Sequence, residues 1–592
     1  KIAVILDIVL NHHFGQSALV QMYWDASTGT VSEDSPWFNP IATHPFNVGF
    51  DFNHESSYTK NFVDSVNRYW VDEFHVDGYR FDLSKGFTQT DYGDDITAWS
   101  SYDAGRVALL KRMADKLWAY DSEAIIILEH FGAASEETEL ANYGNGMLLW
   151  RGMSGFYAQA LIGAGGDISG ANASTHVSFM ESHDEERQGY EMIEFGVSSG
   201  DYDVQNELIM MERAKMGSAF HFLQPGPKMI WQFGELAYDI SINQEGRLGE
   251  KPEPWGSEGL GYYEDTYRQY VFDAYSAILE LRNENIDALT EGTFSSSLSG
   301  SLKQITIDHT DFKMCIIGNF GTETNTITAN FPELGDWFDY FTGESMELEF
   351  SNVPVDLAPG EFHIYTNNRQ SDGYPNVVEF FTSPVTTAPV DFSVNDEILL
   401  IFDAGKAGSD GTNGLLGANK VYMHAGIATS DKGELSHVVG SLTDDGVGEM
   451  TKVDGADNKW QIVLTPQEYF GLSDSDEIEQ LGMYFRDATN ENVGTGFRGQ
   501  LIYLDVTPNS GPLNTPTSNS ILVYPNPSQG LITIQGIDKV LTVRVIDPSG
   551  KTVLTSSINE IGQLDCSALP NGLYLLKIDD QKGSVKRLII NK

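Results

Sequence analysis

The sequence predicts an incomplete (β/α)8 TIM barrel over residues 1–288, followed by three all-β domains of sandwich type. Up to about residue 288, short β-branched runs alternate with stretches of helical periodicity, which is typical of successive β-α units around a parallel sheet. Beyond that point, short alternating strands separated by Gly, Asn, Asp and Pro replace the helices. The 592 residues allow several domains of about 100–200 residues each.

Six strands and four helices are expected in the barrel region. The strands are predicted at residues 2–7, 76–82, 125–129, 147–150, 176–180 and 229–232, and the helices at 58–72, 103–119, 205–221 and 265–282. A closed barrel of this type has eight strands in about 250 residues, so we expect two units to be missing from the front. The opening at Lys1, with no initiator Met and no visible secretory signal, fits a truncated sequence.

The all-β region divides into modules at residues 293–368, 374–506 and 520–592. Residues 507–519 are rich in Pro, Ser, Thr and Asn and lack hydrophobic anchors, as expected of a flexible linker. Strands are predicted at 301–307, 313–320, 326–330 and 362–365 in the first module, and at 397–403, 420–425, 459–464 and 480–486 in the second.

The composition excludes several classes of partner. Asp and Glu total 85 against 36 Lys and Arg, and this net charge of -49 repels nucleic acid and anionic lipid surfaces. No run approaches the ~20 apolar residues of a membrane helix, so we expect no membrane insertion. The two cysteines, Cys315 and Cys566, lie in different predicted domains, which argues against a disulfide framework or a thiolate metal site.

Acidic residues end four of the predicted barrel strands. Asp7, Asp82, Glu129 and Asp184 each lie where a strand ends, and such positions face one shared mouth in a parallel barrel. A single Asp at a strand end is commonly a cap or turn former. Four such ends in order are hard to explain by capping, so we predict an active site.

The motifs around these acids resemble those of the α-amylase family of glycoside hydrolases, family 13. The resemblance spans residues 1–288 and numbers the six strands as three to eight. The matching motifs, in order, are DIVLNH at 7–12, GFDFN at 49–53, GYRFDLSK at 78–85, ILEHF at 127–131, FMESHD at 179–184 and PKMIWQFGE at 227–235. The resemblance also implies a small inserted domain at about residues 14–55.

Residue by residue, the resemblance implies that Asp82 is the nucleophile, Glu129 the general acid/base and Asp184 the carboxylate that holds sugar hydroxyls. A retaining glycosidase needs two carboxyl groups about 5–5.5 Å apart, one ionised and one protonated. Burial of Glu129 after an apolar strand, together with the charge of Asp82, should raise the pKa of Glu129.

Five further residues are candidate site residues. Arg80, two positions before Asp82, is expected to orient that carboxylate, and His12 and His183 to donate to sugar hydroxyls. Lys85 is expected to reach the sugar beyond the cut, although an exposed lysine is commonly only a surface charge. In the family, the Asn corresponding to Asn11 often ligates a structural calcium, so a calcium ion is expected there.

The β modules carry resemblances of their own. Residues 293–368 resemble the C-terminal β-sandwich of the amylase type, and 374–506 weakly resemble immunoglobulin-like starch-binding modules. In the latter, Trp460, Tyr422 and Tyr484 form either a sugar-stacking surface or part of the core. Residues 520–592 resemble the C-terminal sorting domain of the Bacteroidota type IX secretion system, through YPNPSQG at 524–530 and LPNGLYLLKI at 569–578.

Together these resemblances imply a secreted or cell-surface retaining endo-acting α-glucan hydrolase that cleaves α-1,4 bonds of starch or glycogen and contacts the secretion machinery through its C-terminal domain. A debranching α-1,6 hydrolase or a glucan transferase on the same site stays open, because these enzymes share the motifs. The third alternative is a non-catalytic starch-binding surface protein, which the presence of all three acids disfavours.

Overall fold

The computed structural model describes residues 2–507 except 47, 200–201, 257, 376, 391, 409–413, 429–434, 454–455, 457 and 474–477. Further on it describes residues 522–524, 530–535, 541–546, 552–558, 561–570, 572–578 and 585–590. Apart from Thr507, the predicted linker lies outside these residues. The chain divides into two compact units, Lys1–Pro508 and Asn509–Lys592.

A six-stranded parallel sheet forms the centre of the first unit, as predicted. The strands pair in chain order, and the first and sixth lie at the two edges without pairing to each other. The carboxyl ends of the first three strands lie at one level, because Ile8 is opposite Phe81 and Phe81 is opposite Leu128. The six strands are Ile5–Ile8, Gly78–Phe81, Ile125–Leu128, Leu148–Gly152, His176–Phe179 and Lys228–Met229.

The four predicted helices are present within two residues of the expected bounds. Each begins after a Ser, Asp or Asn whose side chain accepts a backbone N–H of the first turn, which stabilises the helix start. These helices are Ser57–Phe74, Ala104–Tyr120, Glu207–Phe222 and Thr266–Glu284. Shorter helices that the sequence did not predict are Ala18–Met22, Ile96–Trp99, Ala134–Ala141, Ser154–Leu161, Gln188–Phe195 and Ile286–Glu291, with 3-10 turns at Ser84–Phe87, Ser169–Ala171 and Gly234–Leu236.

The inserted segment between the first two parallel strands has little regular structure. Three short antiparallel pairings hold it, one of which joins His12–His13 to Phe50–Asp51. Its small core consists of Val20, Val31, Phe38 and Phe52. The antiparallel pairing places the segment directly beside the residues that follow the first parallel strand.

The first β module packs one sheet face against the barrel helices. Its hydrophobic residues, such as Ile305 and Ile364, share one core with Phe220 and Val271 of the two long helices. A second core around Trp337 fills the module itself. The strands of its larger sheet, in spatial order, are Thr293–Ser297, Leu302–Asp308, Lys313–Asn319, Phe362–Thr366, Gly335–Asp339 and Ser345–Leu348, and Asn325–Asn330 pairs with Asn352–Leu357.

The second β module consists of two antiparallel sheets around its own core. Trp460 is 4% exposed and lies inside that core, and Tyr422 is fully buried, so both belong to the interior rather than to a stacking surface. One sheet contains Val385–Ala388, Ile398–Asp403, Lys459–Leu464 and Thr451–Lys452, and the other Ser436–Val439, Tyr422–Ala428, Gln480–Arg486, Val493–Gly494 and Ile502–Asp505. The short helix Pro466–Tyr469 and the 3-10 turn Phe497–Gly499 depart from the all-β expectation.

Buried charges join this module to the barrel. The Arg498 guanidinium contacts Glu212 of the helix Glu207–Phe222 at 2.5 Å, and Lys215 of the same helix contacts Glu212 at 2.7 Å. Lys215 also donates to the carbonyl of Val377, at 2.6 Å. Nearly every residue of this helix is buried, because neighbouring helices and the first β module cover it.

The second unit is also all-β. One sheet contains Leu522–Tyr524, Leu531–Gln535 and Ile561–Asp565, and the other Thr552–Ile558, Leu541–Ile546, Gly572–Ile578 and Val585–Ile590. Its core includes Ile532, Val543, Cys566 and Leu576. Both cysteines of the chain are buried and free. Among the described helices, none has the length and apolar character needed to cross a membrane.

Candidate active site

Arg80 gathers three of the predicted acids at the end of the parallel sheet. Its Nη1 lies 2.9 Å from Asp7 Oδ1 and 2.8 Å from Asp82 Oδ1, and its Nη2 lies 3.0 Å from Glu129 Oε1. The side chain is buried, and its guanidinium also lies 5.1 Å from the centre of the Trp150 ring. A fixed guanidinium with several carboxylate partners orients each of them.

The sheet register explains why these side chains meet. Asp7 pairs directly with Arg80, and the parallel hydrogen bonding continues one residue beyond each strand. The N–H of Asp82 donates to Ile8 O and that of Glu129 to Phe81 O, both at 3.0 Å. Asp82 and Glu129 are therefore neighbours across the sheet, and Arg80 shares a face with Asp82 because side chains alternate along a strand.

Glu129 is prepared to hold a proton near neutral pH. Burial raises the pKa of Glu129 to about 7, and the charges of Asp82 and Asp184 act in the same direction, against the lowering effects of Arg80 and the Leu83 N–H. That N–H donates to Glu129 Oε2 at 2.7 Å. Leu83 adopts a left-handed backbone with φ of 41°, which turns the chain sharply after Asp82.

A buried hydrogen-bond network holds the backbone of Glu129. Ser84 Oγ donates to the carbonyl of Glu129 at 2.9 Å and lies 3.0 Å from His130 Nδ1. His130 Nε2 lies 2.7 Å from Glu136 Oε1, and Arg106 holds the same carboxylate through Nε and Nη2 at 2.6 and 2.7 Å. No motif marked Arg106 or Glu136, and only their burial in the folded chain shows their role.

Asp184 faces a more open part of the site. Its side chain is 48% exposed, and Arg247 Nη2 donates both to its Oδ1 and to its backbone carbonyl at 2.8 Å. His183 Nε2 lies 3.2 Å from Asp184 Oδ2, and the His183 ring lies 6.0 Å from that of Trp231. Arg247 comes from an irregular loop without a motif, and sequence reasoning missed it.

His12 and Lys85 are both buried. Burial lowers the pKa of His12, and the charge of Asp82 acts against this, which places the imidazole within electrostatic reach of that carboxylate. Lys85 donates to the carbonyl of Phe131 at 3.0 Å and to Ser100 Oγ at 3.1 Å. Its ammonium lies 4.0 Å from the Trp99 ring centre, so the described contacts of Lys85 are with protein groups.

Asn11 belongs to a separate buried group of polar atoms. Asn11 Oδ1, His44 Nε2 and Asp51 Oδ1 are buried and have no hydrogen-bond partner among the described residues. Among the described residues, no group of three or more His, Cys, Asp and Glu side chains suits a metal ion. The present group contains only two such side chains, since its third member, Asn11, is an amide. The two oxygens suit calcium, whereas the imidazole nitrogen does not fit a calcium site, which is built from oxygens.

Comparisons with known proteins identify similarities over separate parts of the chain. Residues 522–591 match the family of secretion system C-terminal sorting domains, and 385–493 match a domain family of unknown function, DUF8578. A segment of 86 residues is 30% identical to the 1,4-alpha-glucan branching enzyme of Aliivibrio fischeri, covering 14% of this chain and 12% of that enzyme. The chain thus spans only a small part of the length of that relative.

Several solved structures are similar to this chain. An alpha-amylase from Geobacillus thermoleovorans in complex with acarbose is 15% identical, with a TM-score of 0.44, over 62% of this chain and 78% of that chain. The Nostoc punctiforme debranching enzyme is 15% identical, with a TM-score of 0.41, over 62% and 75%. Eubacterium rectale Amy13B is 16% identical, with a TM-score of 0.44, over 62% and 79%. The sorting-domain match at residues 522–591 indicates a secreted or cell-surface protein.

Proposed function

We propose that this protein is a retaining α-glucan hydrolase that cleaves α-1,4 bonds of starch or glycogen. The observation that carries the proposal is the Arg80 cluster, in which one guanidinium contacts both Asp82 and Glu129. A shared guanidinium keeps the two carboxyl groups close, and retaining glycosidases use a short separation of about 5–5.5 Å.

In the proposed reaction, Asp82 attacks the anomeric carbon while protonated Glu129 donates its proton to the glycosidic oxygen. The carbon–oxygen bond breaks, the leaving sugar keeps the proton, and a glycosyl ester forms on Asp82. Glu129, now ionised, takes a proton from water as the water oxygen attacks the same carbon and releases Asp82. The pKa of Glu129, about 7, suits a group that must both give and take a proton.

The remaining residues have binding and orienting roles in this proposal. The half-exposed carboxylate of Asp184 accepts hydrogen bonds from the hydroxyls of the sugar at the cut. His12 and His183 donate to the same sugar, and Arg80 fixes the direction of Asp82. Residues 522–591 would be recognised by the secretion machinery, which would export the enzyme to polysaccharide outside the cell.

The test is hydrolysis of soluble starch by the full-length protein and by its Asp82→Asn and Glu129→Gln variants. We expect each variant to lose several orders of magnitude in kcat with the fold intact, while Glu123→Gln, an exposed change, serves as the control. Proton NMR of the first product should show the retained α-anomer. Release of reducing sugar from pullulan but not from starch would favour the debranching alternative. Lengthening of maltooligosaccharides would favour the transferase. Starch binding without turnover would overturn the proposal.

A further inference from the structure

Three side-chain atoms that carry lone pairs lie buried between the first parallel strand and the inserted segment. Asn11 follows that strand, while His44 and Asp51 belong to the segment. The three residues are 0%, 3% and 1% exposed, and Asn11 Oδ1, His44 Nε2 and Asp51 Oδ1 lack hydrogen-bond partners among the described residues. Leaving buried polar atoms unpaired destabilises a fold, so this grouping indicates that a partner is missing.

The tautomer of His44 leaves three atoms with lone pairs and no hydrogen atom among them, an arrangement that suits a cation. His44 Nδ1 lies 2.7 Å from the carbonyl of Pro45, and a carbonyl only accepts, so Nδ1 carries the hydrogen. In the neutral ring, Nε2 then presents a lone pair toward Asp51 Oδ1, at 3.6 Å. The other carboxylate oxygen of Asp51 already accepts from Asn39 Nδ2 at 2.8 Å and from the Thr43 N–H at 3.2 Å.

Gly86 keeps the space between these atoms open. A Cβ at this position would lie 2.0 Å from Asn11 Oδ1 and 2.8 Å from His44 Nε2. Any side chain would therefore fill the space toward which the donors point. The His44 ring is also held in place, since it stacks on Trp99 with 5.3 Å between ring centres and 8° between planes.

We propose that Asn11 Oδ1, Asp51 Oδ1 and His44 Nε2 bind a divalent transition-metal ion of the zinc class, rather than the oxygen-coordinated calcium implied by the motif around Asn11. Imidazole nitrogen is a common ligand of such ions and an unusual one for calcium. Two ligands at about 2.0–2.2 Å from one ion lie up to about 4 Å apart, so the 3.6 Å between His44 and Asp51 leaves room for it.

The ion would fasten the inserted segment to the sheet. His12 is paired with Asp51, and the N–H of Phe52 donates to the carbonyl of Asn11 at 3.0 Å, so this backbone pairing already brings Asn11 and Asp51 together. A metal bond between Asn11 and His44 adds a contact to a part of the segment beyond that pairing. This role is structural and does not depend on the proposed hydrolase activity.

The experiment measures metal content and melting temperature of the full chain, with no activity assay. Protein stripped with a chelator is given Zn²⁺ or Ca²⁺, desalted and analysed by elemental mass spectrometry and calorimetry. We expect one equivalent of zinc and a higher Tm, with a much smaller effect of calcium. His44→Gln should weaken zinc binding at least about tenfold, whereas His437→Gln, a change of an exposed histidine, should not.

X-ray absorption of the zinc-loaded wild type keeps the proposal testable if His44→Gln fails to fold. We expect the outer-shell scattering of one imidazole together with a first shell of nitrogen and oxygen. Three results would overturn the proposal: no retained zinc and an unchanged Tm, zinc without an imidazole signal, or an equal rise in Tm with calcium in the wild type and in His44→Gln. The last result would instead support a calcium site that does not include His44.

Discussion

Replacing Glu129 by Gln should stabilise the folded protein at high pH. The carboxyl has a pKa of about 7 in the fold, against about 4.3 in an unfolded chain, so the native state binds the proton more tightly. Between these values the native state holds more protons than the unfolded state, and stability therefore falls as the pH rises from about 4.3 to 7. The difference corresponds to about 3–4 kcal/mol at about 1.4 kcal/mol per pKa unit.

Glutamine never ionises, so the variant avoids this loss. Its amide has one accepting oxygen, whereas two donors, the Leu83 N–H and the Arg80 guanidinium, face Glu129, and this mismatch with the protonated carboxyl adds the same cost at every pH. That cost cancels when the two pH values are compared. The free-energy difference between variant and wild type should therefore shift by about 3–4 kcal/mol in favour of the variant between pH 4 and pH 8.

Urea denaturation of the wild type, Glu129→Gln and the exposed control Glu123→Gln, at half-unit steps from pH 4 to pH 8, measures this shift. The control curve should run parallel to that of the wild type. A constant difference between Glu129→Gln and wild type across the range would refute the reasoning, because it would mean that Glu129 ionises in the fold as readily as in the unfolded chain.

Three further changes test other parts of the molecule. Glu136→Gln should cost about 3–5 kcal/mol in denaturation at pH 7, because it leaves the buried Arg106 guanidinium poorly paired. Although burial acts the other way, hydrogen bonds from His130 and Arg106 hold the pKa of Glu136 at about 2, so the stability from its charge is present above about pH 4.3 and is lost as the pH falls toward 2. Trp460→Ala should cost about 3–5 kcal/mol, as for a core aromatic, whereas an unchanged Tm with lost retention on a starch gel would indicate a binding surface. Deleting residues 520–592 should leave kcat of the purified protein unchanged and abolish its appearance in the culture medium of the native host; continued export would contradict a sorting role.

The sequence was most informative where positions depend on regular structure. The closeness of Asp82 and Glu129 could be predicted because strand ends in a parallel sheet share one edge, and the register of Arg80 follows from side-chain alternation. The four long helices could be placed because each has an amphipathic or capped pattern, and their ends lie within two residues of the expected ones.

What the sequence could not predict depends on irregular backbone. Arg247 reaches Asp184 from a loop without periodicity, and only the folded loop brings the two together. His44 likewise lies in a segment with few regular hydrogen bonds, so nothing in its spacing indicated that it would meet Asn11. Trp460 left two alternatives open because strand alternation does not reveal which face of an isolated strand is the inner one.

The helix Glu207–Phe222 limits how this protein can be rearranged. Its residues are buried against neighbouring helices and the first β module. Further along the chain, Arg498 contacts Glu212, and the carbonyl of Val377 accepts from Lys215. A β module joined only by a tether can be exchanged between proteins by recombination without changing its neighbour. Here an exchange of a β module would also require substitutions in the helix, because the helix side chains that face away from the barrel pack inside the modules that follow. Residues 1–508 would therefore be inherited as one block and, in a calorimeter, should melt in a single transition.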